Sequence, residues 1–169
     1  MASANYDISH EQGTDFVLNI NYYDDQGSAI DMSGGDYWAK MEVRGQKYEL
    51  DQDDTSLKIR FSTSNTYGYT GSITTDIGKR SAGHISLNGE FVYDDDLEGA
   101  TTSGVTGQIS LSFTKQVSQY FPSGSYLYDF ILYKDRGISS GTTSDALAER
   151  LVAGKFIVSP VITNPDFDA

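Results

Sequence analysis

The chain has 169 residues, no cysteine, 17 glycines and a formal net charge of −12 from 24 acidic and 12 basic side chains. This length predicts one domain, and the lack of cysteine excludes a disulfide framework and a thiolate metal site. Because phosphate binding requires a basic patch, the acidity argues against a nucleic-acid partner.

The first half of the chain alternates between apolar and polar residues, as strands with one buried face do. Short strands are predicted at 6–9 and 14–23, the second turning Phe16, Leu18, Ile20 and Tyr22 inward. In 36–44, the predicted inward residues are Tyr37, Ala39, Met41 and Val43, and the outward ones are Trp38, Lys40, Glu42 and Arg44. Leu57, Ile59 and Phe61 mark a further strand.

The second half contains the most apolar segments. Ile85 and Leu87 predict a short strand, 108–114 alternates cleanly, and 115–121 fits one helical turn that ends before Pro122. The stretch 124–133 is apolar on both faces, which is typical of a strand in the middle of a packed sheet. It is predicted to pair with 149–159 as a long-looped hairpin.

About eight strands without a long helix predict an all-β fold, specifically a β-sandwich. We expect a single domain over 1–160 with long polar loops at 62–83, 88–107 and 135–146. Residues 161–169, which include Pro165, are expected to form an extended C-terminal tail.

The first twelve residues have neither a basic nor an apolar region, so no signal peptide is expected. No apolar run approaches the roughly 20 residues that span a bilayer, so no membrane association is expected either. The chain is expected to be made and folded in a cytoplasm.

A literal G-x-S-x-G occurs at 137–141, with Ser139 at its centre. The motif supports a nucleophile only on a strand-to-helix turn with a histidine later in the chain. Both histidines, His10 and His84, precede it, so we expect no hydrolase and no other enzyme.

Two groups of carboxylates are candidate calcium sites. Asp94, Asp95 and Asp96 form one group and Asp51, Asp53 and Asp54 the other, and loops of this kind supply the oxygen ligands that calcium prefers. Neither has the spacing of an EF-hand loop, so solvated acidic turns are preferred and no metal or cofactor is predicted.

Asp129 lies between apolar neighbours on the predicted central strand. A buried carboxylate requires hydrogen bonds or a partner charge, for which Arg150 is a candidate. We predict a structural role for it rather than that of a general base, since a catalytic companion is lacking.

Several aromatic and apolar positions are predicted to contact neighbouring subunits. Trp38 lies beside basic residues on an outward face, as interface anchors do, although a loop of the same chain is an alternative cover. Tyr67 and Tyr69 lie in a loop whose Gly, Ser and Thr content resembles that of a binding loop; a merely flexible loop is the alternative. In the C-terminal tail, the predicted contact residues are Val161 and Phe167.

The segment YDISHEQGTDFVLNINYYDDQGSAIDMSG resembles the opening of small immunoglobulin-like structural proteins of tailed bacteriophages. The shared features are a first strand, a Gln-Gly dipeptide, an alternating strand, a turn that ends in Gly, and an Ile followed by a Ser-Gly break. WAKMEVR, the strand Ile109 to Phe113, PSGSYLYDFIL and LVAGKFIVSPVIT resemble later strands of that family. The similarity covers roughly the first 60 and last 60 residues as strand patterning, and the long loops depart from it.

This resemblance implies an immunoglobulin-like antiparallel β-sandwich with no catalytic or cofactor site. It also implies a virion structural protein, an assembly or adaptor module of the tail, baseplate or fibre-attachment region, similar to the N-terminal domain of upper-baseplate proteins. Other virion proteins would be its partners, and a homo-oligomer in a symmetric ring is expected. A capsid decoration protein and a carbohydrate-binding β-sandwich module stay open as alternatives. The latter would show two or three coplanar exposed aromatics on one face.

Overall fold

The computed structural model describes residues 3–32, 37–47, 56–63, 83–88, 105–134 and 147–161. These ranges contain one short helix, α1 (Lys115–Ser118), and nine strands. The strands are β1 (Ala4–Asn5), β2 (Ile8–Glu11), β3 (Phe16–Asn21), β4 (Tyr37–Arg44), β5 (Leu57–Ser62), β6 (Gly83–Leu87), β7 (Gln108–Phe113), β8 (Gly124–Lys134) and β9 (Leu147–Ser159).

The strands form one curled sheet in the order β1-β9-β8-β4-β5-β6-β7-β3, with β2 also paired to β9. Antiparallel ladders join β9, β8, β4 and β5 into one layer. A second antiparallel layer contains β6, β7 and β3. The two layers face each other, as the packing of Phe16 of β3 shows. Its ring centroid is 5.9 Å from that of Phe61 of β5 and 5.4 Å from that of Phe156 of β9.

The two layers are joined where β5 meets β6, through only two residue pairs in parallel register. Gly83 lies at this junction, and a Cβ atom there would come within 2.5 Å of the Phe61 ring. A side chain is therefore excluded at the point where the sheet curls, and glycine allows the close approach.

A tyrosine at the start of β8 makes a contact that is typical of immunoglobulin-like domains. The Tyr126 hydroxyl donates to the carbonyl oxygen of Pro122 at 2.7 Å, which forms a tyrosine corner at the turn after α1. Tyr128, two residues later, occupies the place where antibody domains carry the second cysteine of their inter-sheet disulfide. Here aromatic packing replaces that bond, since Tyr128 lies edge-on to Phe156 at 6.5 Å.

The strand order is that of the variable-type immunoglobulin fold, with β9-β8-β4-β5 as strands G-F-C-C′ and β3-β7-β6 as B-E-D. The chain is therefore an all-β, immunoglobulin-like β-sandwich, as the resemblance implied. The predicted hairpin of β8 and β9 is present as an antiparallel pair over the whole length of β8.

The core lies between the two layers and is rich in phenylalanine. Phe61, Phe130 and Phe156 are completely buried. Most of the predicted inward residues of β4, β5 and β7 are buried as well, namely Ala39, Met41, Val43, Leu57, Ile59, Ile109, Leu111 and Phe113. Tyr37, also predicted inward, is only partly buried against the core. The alternation in the sequence thus assigned the core face of these strands correctly, because one face of each strand meets the opposite layer.

Three expectations differ from the structure. The first strand, predicted at 6–9, is two short strands, β1 and β2, both parallel to β9. The strand predicted at 149–159 begins two residues earlier, since β9 starts at Leu147. The second face of β8 is only partly buried: Leu127 is 43% exposed, and Asp129, Ile131 and Tyr133 are half-buried. β8 is central within its layer, but a sandwich covers each layer on one face only.

Within the described residues no helix has the length and apolar character required to cross a membrane. The predicted loops at 62–83, 88–107 and 135–146 lie mainly outside the described ranges, as does the tail from 162 onward.

Candidate functional site

The site that stands out is the outer face, defined here as the outward-pointing residues of β4, β5, β8 and β9. Cross-strand pairing places these residues in rows: Trp38 beside Tyr133, Lys40 beside Ile131, Glu42 beside Asp129, and Arg44 beside Leu127. On β9, Arg150 lies opposite Ile131 and Lys155 opposite Leu127. The core is on the other side of these strands, and the exposed residues of the outer face include Leu127, Arg150 and Lys155.

Glu42 is the centre of a charge network on the outer face. Its Oε1 accepts hydrogen bonds from Lys40 Nζ at 2.9 Å and Arg60 Nε at 2.8 Å. Its Oε2 accepts two bonds from Arg44, from Nε at 2.8 Å and from the terminal nitrogen at 2.6 Å. Burial alone would raise the pKa of Glu42, but the hydrogen bonds from the three cations outweigh it and lower the pKa to about 2.

Arg44 was predicted to face outward; it lies beside Leu127 on the outer face but is only 5% exposed. A register shift follows Val43, and the guanidinium lies along the strand against the carboxylate of Glu42. Two charge-assisted bonds from one guanidinium to the same oxygen, Oε2, hold Arg44 against Glu42, so the network is an ordered part of the outer face.

Asp129 is half-buried beside this network. Among the described residues its carboxylate takes part in no hydrogen bond or ion pair, so the expectation of a fully buried, hydrogen-bonded group requires correction. Burial raises its pKa and Glu42 adds to the rise, whereas the charge of Arg150 opposes it. The neighbouring strands direct their donors to Glu42, which leaves Asp129 desolvated without compensating bonds. Its structural role stays a prediction.

Arg150 is exposed and near Asp129 without contacting it directly. Between them the surface has a cleft of about 490 Å³, lined by Glu42, Arg44, Gln46, Lys47, Leu127, Tyr128, Asp129, Arg150 and Ala153. Its walls combine fixed charges, an exposed cation and the exposed side chain of Leu127. This is a volume within the range of small-ligand and side-chain pockets.

Trp38 is half-buried, and among the described residues its ring stacks on that of Tyr133 on the neighbouring strand. The two rings are nearly parallel, with planes 5° apart and centroids 5.6 Å apart. They are stacked on each other and do not form a flat platform of separate coplanar rings. Next to them, the Lys134 ammonium lies over the Tyr37 ring at 5.3 Å from its centroid.

A serine–histidine contact that was not expected from the sequence lies in the core. Ser118 Oγ is 2.6 Å from His10 Nε2 and also accepts the Gly13 N–H at 2.8 Å. Ser118 is completely buried and His10 is 6% exposed, so no substrate reaches either side chain. Burial lowers the pKa of His10 to about 4, so the ring is neutral near pH 7. The pair holds β2 against α1 and is not a catalytic dyad.

Most of the other predicted site residues lie outside the described residues, namely Tyr67, Tyr69, Asp94, Asp95, Asp96, Ser139 and Phe167. Val161 is described and is half-buried just after β9. Over the described ranges no three or more His, Asp or Glu side chains are grouped as a metal site would require.

Sequence reasoning missed the charge network as a unit, and it missed the His10–Ser118 contact entirely. Alternation placed Lys40, Glu42 and Arg44 on one face, which was the available signal. Arg60 reaches Glu42 only because β4 pairs with β5. Arg150 comes near Asp129 only because β8 pairs with β9. Local patterns contain no information about either partner strand.

No family model matches the chain, and no curated protein matches it. Among solved structures, it is similar to a chain from a structure-based photo-crosslinking study of multimeric cell-adhesive interactions of VGSC beta subunits, with 10% identity over 94% of this chain and 93% of that chain and a TM-score of 0.33. It is also similar to Tim-2, with 13% identity over 96% of this chain and 98% of that chain and a TM-score of 0.31. The likeness concerns general fold only, and the fold assignment above rests on the strand order.

Proposed function

We propose that this chain is a non-catalytic assembly module that docks other proteins through its outer face, as a structural protein of a tailed-bacteriophage particle. The resemblance of its strand pattern to phage immunoglobulin-like proteins suggests the tail, baseplate or fibre-attachment region as its location. In this role it joins neighbouring subunits, and the symmetric ring expected of such components is part of the proposal.

The observation that carries the docking role is the composition of the outer face. It combines a stacked Trp38–Tyr133 pair, ordered arginines and the exposed Leu127 on the rigid central strands of one layer. Aromatic residues and arginine are enriched at the centres of protein interfaces, where they supply contact area at little entropic cost.

The test is a pair of matched substitutions on the two opposite layers. Leu127→Glu places a charge on the outer face, and Val17→Glu places one on β3, where Val17 is 63% exposed. We expect Leu127→Glu to prevent incorporation into particles or oligomers, measured by sedimentation and by electron microscopy of particles labelled for this chain. Val17→Glu is the control and is expected to assemble normally. Normal assembly of Leu127→Glu would refute a docking role for the outer face.

A capsid decoration protein would use the same face, and labelled micrographs distinguish it from a tail component by position on the particle. A carbohydrate-binding module is the second candidate, although Trp38 and Tyr133 stack on each other and do not form the platform of coplanar exposed rings expected of it. The stacking leaves each ring at most one face for a sugar. A glycan array that shows binding lost in Trp38→Ala would support this second function.

A further inference from the structure

The charge of the outer face is opposite in sign to that of the chain. Basic side chains outnumber acidic ones on the described part of this face, with Lys40, Arg44, Arg60, Arg150 and Lys155 against Glu42 and Asp129. The whole chain carries a net charge of −12. A positive surface on an acidic protein selects for partners with negative charge at the point of contact.

The charged groups of this face differ in how many ion pairs and hydrogen bonds they already form within the chain. Glu42 binds Lys40, Arg44 and Arg60, and both of its oxygens accept two hydrogen bonds. Arg150 is exposed and forms no ion pair or hydrogen bond with any described residue. It therefore retains the full donor capacity of its guanidinium for a ligand at the mouth of the cleft.

From this geometry we propose that the cleft beside Arg150 accepts an aspartate or glutamate side chain from an acidic segment of the docked partner protein. The inference rests on the proposed docking function and names the chemistry of its partner. Arg150 is the anchor, since its planar guanidinium donates two parallel bonds to a carboxylate. Lys47 adds positive charge at the cleft, and Leu127 provides an apolar wall for the methylene groups.

A basic segment is the opposite occupant and would have to bind Asp129. That carboxylate is half-buried, and the same segment would face Arg44, Arg150 and Lys47 at the cleft. Repulsion between these cations and a basic segment disfavours such a contact. An incoming carboxylate is repelled mainly by Asp129, because the other carboxylate of the cleft, Glu42, is already paired with cations of the chain. The balance of charge around the cleft therefore favours an acidic segment.

The experiment uses the full chain and two fluorescent probe peptides of equal length, one rich in glutamate and one rich in lysine. Anisotropy titrations at low salt are expected to show saturable binding of the glutamate peptide only. The affinity should fall as salt is raised to about 0.5 M, because exposed charge pairs are screened. Arg150→Glu is expected to weaken binding by at least about tenfold, and Arg150→Lys to retain part of it.

Lys115→Glu in α1 makes the same charge change away from the cleft and is expected to leave the affinity within about twofold of wild type. Binding of the lysine peptide in place of the glutamate peptide, no saturable binding, or equal effects of Arg150→Glu and Lys115→Glu would overturn the inference. If sedimentation shows self-association that Arg150→Glu abolishes, a second copy of the chain supplies the acidic segment.

The outcomes also separate this inference from the proposed function. If the glutamate peptide fails to bind while Leu127→Glu still prevents assembly, the outer face docks a partner and the acidic segment is wrong. If Leu127→Glu assembles normally, the docking role itself fails, whatever the peptides do.

Discussion

His10 is a single ionisable residue on which much of the inner packing depends. Its ring lies edge-on to Phe16 and Phe113, with centroids 5.5 and 5.0 Å away, and bonds to Ser118 on its polar edge. Protonation would place a positive charge among aromatic rings, away from water. The cost of charging the ring is the reason for its low pKa.

We therefore predict that acid destabilises the fold through His10. The folded pKa of about 4 is below the ordinary value of 6.5, so stability is complete above pH 6.5 and is lost as pH falls toward 4. Between near-neutral pH and about pH 4.5, wild type should lose about 2.5 kcal/mol more than His10→Gln, which cannot be protonated there. Urea unfolding at several pH values measures the difference, and parallel pH profiles for the two proteins would contradict the assignment.

Glu42→Gln is predicted to destabilise the fold, since it leaves three cations around a neutral group. Glu42 and Arg44 side chains are 12% and 7% exposed, so solvent compensates little. The expected loss in the free energy of unfolding is about 2–3 kcal/mol near neutral pH. Lys40→Gln is the comparison: its side chain is 43% exposed, and a loss below about 1 kcal/mol is expected.

The pH dependence of this second effect lies in a different range. The pKa of Glu42 is lowered from 4.5 to about 2, so its contribution is present above pH 4.5 and is lost as pH falls toward 2. When the free energy of unfolding is plotted against pH, the curves of wild type and Glu42→Gln should therefore converge only below the pH range in which His10 titrates.

Asp129→Asn is predicted to leave stability unchanged or to increase it near neutral pH. Burial raises the pKa of Asp129, so the ionised form is disfavoured in the folded protein, and stability attributable to this group rises as pH falls through the raised pKa. The amide removes the charge at similar size. Thermal unfolding measures the change, and a clear destabilisation would restore the earlier expectation of a stabilising, bonded carboxylate.

At the scale of elements, the N-terminal strands and β9 depend on a close approach of two backbones. β1 and β2 run parallel to β9, and the Tyr6 N–H donates to the Ala153 carbonyl at 3.0 Å. Tyr128 donates from its hydroxyl to the Tyr6 carbonyl oxygen between the two strands. Gly154 lies opposite this point, where a Cβ atom would be 2.3 Å from the Tyr6 carbonyl oxygen.

Gly154→Ala is accordingly predicted to displace the chain around Tyr6 and to destabilise the fold by about 2 kcal/mol or more. Hydrogen exchange should become faster in residues 4–11, while β4 and β5 keep their protection. Gly45→Ala is a suitable control, because the nearest atoms to a Cβ there are 3.8 Å away. Unchanged exchange in β2 of Gly154→Ala would show that the strand tolerates a side chain at this point.

For the whole molecule, the single tryptophan reports directly on the outer face. Trp38 is half-buried against Tyr133 in the isolated chain, so part of its ring is open to small quenchers. We predict that assembly lowers the acrylamide quenching of its fluorescence, because docking covers the remaining surface. Leu127→Glu, which is expected not to assemble, should keep the quenching of the free chain under the same conditions. Equal quenching before and after wild-type assembly would place Trp38 outside the interface.

The contacts proposed for Tyr67, Tyr69 and the tail from Val161 to Phe167 stay predictions of the same assembly. Hydrogen exchange on free and assembled protein tests them, with added protection of 62–83 and of the tail expected on assembly. Equal protection in both forms would leave the outer face as the surface that carries the docking role.

The sequence by itself determined which residues form the core and where most strands lie. Successive side chains of a strand point to opposite faces of the sheet. The alternation of apolar and polar residues around Phe16, Ile59 and Leu111 therefore indicates which face of each strand meets the opposite layer. The single helical turn before Pro122 was predictable for the same local reason, as was the β8–β9 pair, whose two apolar segments follow one another in the chain.

The tertiary structure alone decided which distant groups meet. Arg60 reaches Glu42 only because β5 pairs with β4, and His10 reaches Ser118 across 108 positions because β2 closes the sandwich beside α1. It also decided that the second face of β8 is only partly buried, which its apolar residues did not indicate. Strand order and layer packing depend on contacts between remote segments, and a local pattern specifies the face of a strand but not the neighbour that will cover it.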